Sequence, residues 1–550
     1  MRHILRKTEV LIFLVSIWIA LTCNTAYWRI VAANDPSGTL PTPMYFASVA
    51  SLTVGLIYLV LSMLAVGRIT RVVLSLALIA SAAAGYFTAN FGILFDSEML
   101  VNIIETNSAE AFELFSPSLV ATVVLFGVIP AIVVWRFPLP KRRFPIAILH
   151  RGIAAIVAVG LIGGPLYFSQ KEIVSLGRNH REIRHMIGPI NVVSATYVYV
   201  RDRLESTSVF KPVALDAIRV NQADEADRPS VHVIIVGETA RAASFSLDGY
   251  SRNTNPELQQ HANVNFVEAT SCGTATATSL PCMFSLKNRK QFDREASRNE
   301  ENLLDIAARA GYAVYWVDNG NSCKGVCARV DSRDVHQSDV ESICSSGDCF
   351  DEILVHELNN LLSQVSDDTL IVLHQLGSHG PAYYRRYPES FRVFLPDCRS
   401  PNLGDCGDKE IANSYDNTIL YTDHVISMAI DALSAQSDHL DSSLIYMSDH
   451  GESLGEHNVY LHGMPYQFAP DEQIHIPMIT WMSAGSAQHQ ELRTNCAGDV
   501  DPLPVSHDNL FHIELGLLGI ETAVYDSKLD IYASCRKRNE LVAANIVTAG

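Results

Sequence analysis

The chain has 550 residues, 48% of them hydrophobic, with 41 Lys+Arg against 59 Asp+Glu and a formal net charge of -18, too long for one ordinary domain. Charge divides it unevenly: residues 1–200 hold 15 Lys+Arg and 9 Asp+Glu, whereas residues 201–550 hold 26 and 50, a net charge of -24. An acidic second part repels nucleic acid phosphates, so nucleic acid is excluded as a partner, while solubility and cation binding are favoured.

The first 170 residues contain five apolar stretches, at about 8–30, 44–66, 71–94, 118–137 and 150–168, each near the roughly 20 residues that a helix needs to cross a hydrocarbon core. Arg2, Arg6 and Lys7, then Arg68 and Arg71, then Arg136, Lys141, Arg142, Arg143 and Arg151 fall on alternate connections, which the positive-inside rule places in the cytoplasm. The intervening connections, around Asp35 and from Asp96 to Ser116, carry acids. A basic start before an apolar run also fits a cleaved leader, but the run is long and has no small-residue cleavage pattern. Residues 1–168 are therefore expected to form a five-helix transmembrane domain with a cytoplasmic N-terminus, and the chain then emerges on the far side of the membrane.

Residues 169–205 mix basic, amphipathic and aromatic residues, as a connector lying along a membrane surface would, and the polar stretch 221–230 reads as a linker. Connector and linker together occupy 169–230, and a compact domain is expected over 231–550. That part holds ten of the eleven cysteines, an even number as a disulfide framework requires. Spacing suggests Cys272 with Cys282, Cys323 with Cys327, Cys344 with Cys349 and Cys398 with Cys406, leaving Cys496 with Cys535. The compartment is then oxidising. Metal binding by Cys323 and Cys327 is the competing reading, without zinc-ribbon spacing elsewhere to support it.

From residue 231, short β-branched runs alternate with helical patterns, the signature of an α/β domain with a largely parallel sheet. Four runs end on chemistry: 231–236 on Gly237 and Glu238, 313–317 on Asp318 and Asn319, 369–373 on His374, and 444–447 on Ser448, Asp449 and His450. Ligands in such sheets bind beyond the carboxyl ends of the strands. Glu238, Asp449 and His450 suit a catalytic metal with one open position, zinc before magnesium because an imidazole is present. The stretch 270–279, TSCGTATATS, supplies hydroxyls. A divalent cation can make one of them a nucleophile, and a helix start there would hold phosphate. Composition does not choose among these hydroxyls.

The segments VGETAR (236–241), CGTATA (272–277), PCMF (281–284), HQLGSHGP (374–381) and SDHGESLGE (448–456) resemble, in order, the phosphoethanolamine transferases that modify lipid A, the family that includes the mobile colistin-resistance enzymes. The resemblance implies an alkaline phosphatase/sulfatase-like catalytic domain in the periplasm, carried by an inner-membrane helical bundle. It implies zinc on Glu238, Asp449, His450 and Thr276, with Thr276 as the nucleophile that becomes phosphorylated. His379 and His462 match histidines near the substrate phosphate or a second zinc, Lys324 a phosphate-side lysine, and Asn102 and Glu110 residues that bind the lipid substrate. Phosphatidylethanolamine is then the donor, lipid A the acceptor, a monomer the expected state, and polymyxin resistance the consequence. His374 receives no role, and the run Asp318-Asn319-Gly320-Asn321 departs from the family pattern.

Three alternatives belong beside this reading. A sulfatase needs Cys or Ser in a C/S-x-P-x-R context, which is absent near Cys272 and Cys282. Transfer of another headgroup, or transfer to a glycan or core sugar, uses the same strand-end ligands. A non-catalytic membrane sensor would not need an intact ligand set and nucleophile.

Overall fold

The computed structural model describes residues 8–35, 41–106, 111, 114–139, 144–205, 209–220, 228–320, 322–336, 338, 340, 343–345, 348–490 and 504–536. The chain divides into two compact units. One comprises Met1–Ile104, Leu114–Asp202 and Asn458–Tyr460; the other comprises Glu105–Glu113, Arg203–His457 and Leu461–Gly550.

In the first unit, Thr42–Leu64, Gly67–Phe91, Pro117–Arg136 and Leu149–Phe168 are long and apolar enough to cross a membrane. The first expected crossing is not one rod. Thr8–Thr22 and Thr25–Ala33 meet at a 64° bend and pass the same test only as a pair. Asn24 sits at the break: its Nδ2 donates to the Ile19 carbonyl at 2.9 Å, which also accepts from the Cys23 amide at 3.0 Å, and its Oδ1 accepts from the Gly188 amide at 2.8 Å, tying the break to residue 188. A Cβ at Gly85 would lie 2.0 Å from the Cys23 carbonyl oxygen, so glycine lets a neighbouring helix approach the broken turn. Gln170–Asn179 and Ile190–Glu205 supply helices in the expected connector.

The second unit is built on an eight-stranded sheet: β1 Ser230–Gly237, β2 Asn265–Thr270, β3 Ala313–Asp318, β4 Asp331–Asp334, β5 Thr369–His374, β6 Asp441–Ser448, β7 His475–Met482 and β8 Val505–Ser506, in the spatial order β8-β2-β7-β6-β1-β5-β3-β4. Only β7 runs against its neighbours, β2 and β6. Strand β1 is buried along nearly its whole length, which is why it reads as a continuous apolar run and not as alternation. The Asp408–Ser434 helix is buried along much of its length, and the Thr276–Met283, Leu303–Arg309 and His507–Leu517 helices bury apolar side chains with the sheet in one core around Ile234, Met283, Trp316, Val372 and Phe511. Strands β1, β3, β5 and β6 are mutually parallel, so Glu238, Asp318, His374 and Asp449 come to one edge of the sheet, as the strand-end pattern requires.

Four of the expected disulfides are present: Cys272–Cys282, Cys323–Cys327, Cys344–Cys349 and Cys398–Cys406. The fifth expected pair includes Cys496, which lies outside the described residues.

Candidate active site

Glu238 leaves β1, and Asp449 and His450 leave the adjacent β6; all three are buried, and each offers a ligand atom within 4.8 Å of the others. The turn after β1 is strained to make this possible. Thr239 has φ +59, in a region that costs a β-branched residue about 1–3 kcal/mol. In return its amide donates to Asp449 Oδ1 at 3.1 Å and its hydroxyl to Glu238 Oε1 at 2.5 Å, while the Tyr415 hydroxyl donates to its carbonyl at 2.8 Å. Gly377 closes over the same turn: a Cβ there would stand 2.5 Å from the Glu238 carbonyl oxygen, and the Ser378 amide donates to that oxygen at 3.0 Å.

The donor set fits a divalent cation. His450 Nδ1 lies 2.9 Å from the Gly451 carbonyl, which can only accept, so Nδ1 carries the proton and Nε2 presents a lone pair. That lone pair faces Glu238 Oε1 at 3.6 Å and Asp449 Oδ2 at 3.4 Å, and the buried Oδ2 receives no hydrogen bond. Acceptors converging in a dry site are satisfied by a cation.

Thr276 begins the Thr276–Met283 helix, with Ala275 extended at the N-cap. Its Oγ1 lies 3.2 and 3.1 Å from the two Glu238 carboxylate oxygens and 3.4 Å from His450 Nε2, at the helix end where the backbone dipole favours anions. The Cys272–Cys282 disulfide brackets this segment. His507 ties it to the ligand loop: the Cys272 amide donates to Nδ1 at 3.0 Å, and Nε2 donates to the Ser448 carbonyl at 2.9 Å. Burial pushes the His507 pKa down to about 4, consistent with the neutral ring that one donor and one acceptor nitrogen require.

Two further histidines stand beside the site. The His462 ring centroid lies 4.4 Å from that of His450 and 5.4 Å from that of His379. Its Nδ1 is 2.8 Å from Glu452 Oε2, and Oε1 of Glu452 accepts from the Tyr383 hydroxyl. Burial alone would depress the His462 pKa, but the charge and hydrogen bond of Glu452 outweigh it and raise the pKa above the ordinary range. Glu238, Thr276, Asp449, His450, His379 and His462 are thus brought together in one place. Lys324 instead lines a cleft with Pro281 and Ser285, by the other end of the Thr276 helix. Asn102 lies on the Ser97–Glu105 helix, counted with the first unit, and Glu110 lies outside the described residues. The described residues contain one cluster of three metal-ligating side chains, Glu238 with Asp449 and His450. Sequence reading missed Thr239, Glu452, Tyr383 and His507; of these, only Glu452 carried a signal, from the density of acid and imidazole around it.

A threonine at a helix start, facing strand-end carboxylates and an imidazole on a mostly parallel sheet, defines a group-transfer domain of the alkaline phosphatase/sulfatase type. Residues 230–520 match the sulfatase family and residues 53–204 the family described as phosphoethanolamine transferase EptA/EptB. Phosphoethanolamine transferase EptA of Salmonella typhimurium is 38% identical over 535 residues, covering 96% of this chain and 97% of its own. Phosphatidylethanolamine transferase Mcr-1 of Escherichia coli is 33% identical over 483 residues, covering 86% and 89%. The solved integral membrane lipooligosaccharide phosphoethanolamine transferase A of Neisseria meningitidis superposes with a TM-score of 0.91 at 34% identity, covering 96% of this chain and 98% of that one. The chain belongs to the EptA/EptB phosphoethanolamine transferase family.

Proposed function

We propose that this protein takes phosphoethanolamine from phosphatidylethanolamine onto Thr276 and passes it to a phosphate of lipid A, at the periplasmic face of a bacterial inner membrane. The observation that carries this reading is the Thr276 hydroxyl at a helix start, within 3.4 Å of both Glu238 and His450. Family membership supports the transferred group, and the apolar helices suit two lipid substrates.

Zinc held by Glu238, Asp449, His450 and the Thr276 oxygen would supply Lewis-acid charge that lowers the hydroxyl pKa and offsets charge on the phosphoryl group. Thr276 Oγ gives up its hydroxyl proton to solvent and attacks phosphorus; the Oγ–phosphorus bond forms as the phosphorus–oxygen bond to diacylglycerol breaks. His462, oriented through Nδ1 by Glu452, has Nε2 as its other ring nitrogen and delivers the proton that the departing diacylglycerol oxygen needs. In the second half a lipid A phosphate oxygen attacks the same phosphorus, the bond from phosphorus to the Thr276 oxygen breaks, and Thr276 and His462 each regain a proton from solvent. The leading N–H groups of the Thr276 helix favour phosphoryl charge in both halves. The product carries a cationic amine on an anionic headgroup, which weakens binding of cationic peptides such as polymyxin.

Intact-protein mass after incubation with phosphatidylethanolamine and no acceptor tests the reading. A phosphoethanolamine adduct on the parent and none on Thr276→Ala is the expected result. Release of diacylglycerol without an adduct would remove Thr276 from its role.

A further inference from the structure

Among the described residues from Ser230 to Arg536, Val393 and Leu395 are the large hydrophobic side chains that stand exposed, at 58% and 54%. They flank Phe394 at the tip of one loop, between the Glu389–Phe391 turn and Cys398. The tip is braced. The Val393 and Phe394 amides donate to Asn417 Oδ1 at 3.0 and 2.8 Å, Asn413 Nδ2 donates to the Pro396 carbonyl at 2.7 Å, and the Arg392 fork grips Asp397. Both asparagines belong to the buried Asp408–Ser434 helix, so the two apolar side chains are held outward on a rigid base.

Charge around the tip runs against that of its surroundings. Residues 384–399 carry Arg385, Arg386, Arg392 and Arg399 against Glu389 and Asp397, a net +2, in a chain whose residues 201–550 carry -24. The Arg385 and Arg399 guanidinium groups lie 5.7 and 5.6 Å from the Tyr384 ring centroid, and that of Arg252 lies 5.4 Å from the Phe394 centroid. Apolar side chains at a loop tip on a segment of net positive charge match the boundary between acyl chains and anionic headgroups; Arg392 and Arg399 are held by Glu389 and Asp397, and Arg252 by Asp416, so it is the net charge of the segment that attracts an anionic surface. Two exposed side chains fall far short of the roughly 800 Å² per partner that a stable protein interface buries.

We infer that the 389–398 loop is an interfacial anchor that dips Val393 and Leu395 into an anionic phospholipid bilayer. The loop continues the strand-end segment that carries His379, and Tyr383 within that segment reaches Glu452. An anchored tip would therefore tie the segment that carries His379 to the surface from which a lipid donor is drawn. This use of the anchor rests on the proposed transferase activity.

The test uses the full chain in proteoliposomes of phosphatidylethanolamine with phosphatidylglycerol. A photoreactive p-benzoylphenylalanine is placed at Leu395 or, as a control, at the exposed Asp438. Phospholipid adducts at 395 and none at 438 are expected. No lipid adduct at 395, equal adducts at both sites, or a cross-linked protein dimer through 395 would overturn the anchor. In parallel, Val393→Asp/Leu395→Asp is expected to raise the apparent KM for bilayer phosphatidylethanolamine about tenfold while turnover of a short-chain, monomeric phosphatidylethanolamine stays at the parent rate. Equal loss on both donors, or loss on neither, would also overturn it. A parent that transfers from neither donor refutes the transferase reading, and the cross-link then decides the anchor separately.

Discussion

Glu452 holds His462 by its Nδ1 at 2.8 Å, which leaves Nε2 as the ring nitrogen for the proposed proton transfer. Burial would lower the His462 pKa, and the Glu452 carboxylate reverses that effect. If His462 is the acid, activity falls as pH rises through its raised pKa. Glu452→Gln keeps a hydrogen-bond acceptor but removes the charge, so burial wins and the alkaline limb of the pH–rate profile moves to lower pH. Turnover drops by about 10- to 100-fold, with a smaller change in KM. An alkaline limb that stays in place would separate His462 from proton transfer.

Metal binding is readable as stability. Glu238, Asp449 and His450 converge their acceptors in the folded chain, so zinc held there, as proposed, would favour the native state over the unfolded one. At a free concentration about a hundredfold above Kd, it adds roughly 2.7 kcal/mol. Thermal unfolding of the parent should shift upward with zinc and return with a chelator. Asp449→Asn should show neither shift and should retain no stoichiometric zinc by elemental analysis.

The buried Asp318 and His374 side chains meet at 3.3 Å. Burial opposes both charges, yet their mutual attraction prevails: the His374 pKa is raised and the Asp318 pKa lowered. The histidine contribution is fully present below its unfolded value, near 6.5, and is lost as pH rises through the raised folded value. The aspartate contribution is present above the unfolded carboxylate value and is lost as pH falls through the depressed one. Asp318→Asn should therefore destabilise most between about pH 4 and 6.5, with the difference from parent shrinking on the alkaline side. Unfolding curves collected across that range check it, and a pH-independent difference would rule out the ion pair.

Cys272–Cys282 encloses Thr276, the proposed nucleophile, within a sequence separation of 10. Replacing both cysteines by serine should cost about 2–3 kcal/mol through the freed unfolded chain. It should also slow formation of the Thr276 adduct under conditions where the protein remains folded, because the helix start loses its brace. A variant with lower stability and an unchanged adduct rate would make the bridge purely structural.

The sequence shows most clearly what the sheet buries. Strands β1, β3, β5 and β6 are parallel and interior, so each appears as an apolar run ending on a polar residue, and their ends carry the metal-ligand set. Strand β4, with the sequence DSRD and little burial, has no apolar pattern to find. His507 joins Cys272 to Ser448 across sequence separations of 235 and 59, a relationship only the folded chain creates. The bend at Asn24 is hidden in the sequence because both arms are apolar, and a side-chain hydrogen bond such as that of Asn24 to the Gly188 amide has no hydropathy signature. Lys324 was placed by motif matching alone, and its cleft with Pro281 depends on how a positive-φ turn, φ +47 at Lys324 itself, directs the chain.

The four bridges among the described residues join cysteines only 4 to 10 positions apart. Eight thiols admit about a hundred pairings, but here each has its partner within the same short stretch. Correct cross-linking is therefore a nearest-neighbour choice, available while the sheet is still incomplete. Each bridge tightens one loop and leaves the rest of the scaffold to its core, so loss of one bridge loosens one wall of the domain. Loops secured in this way can change sequence between relatives while the strands beneath them keep their register.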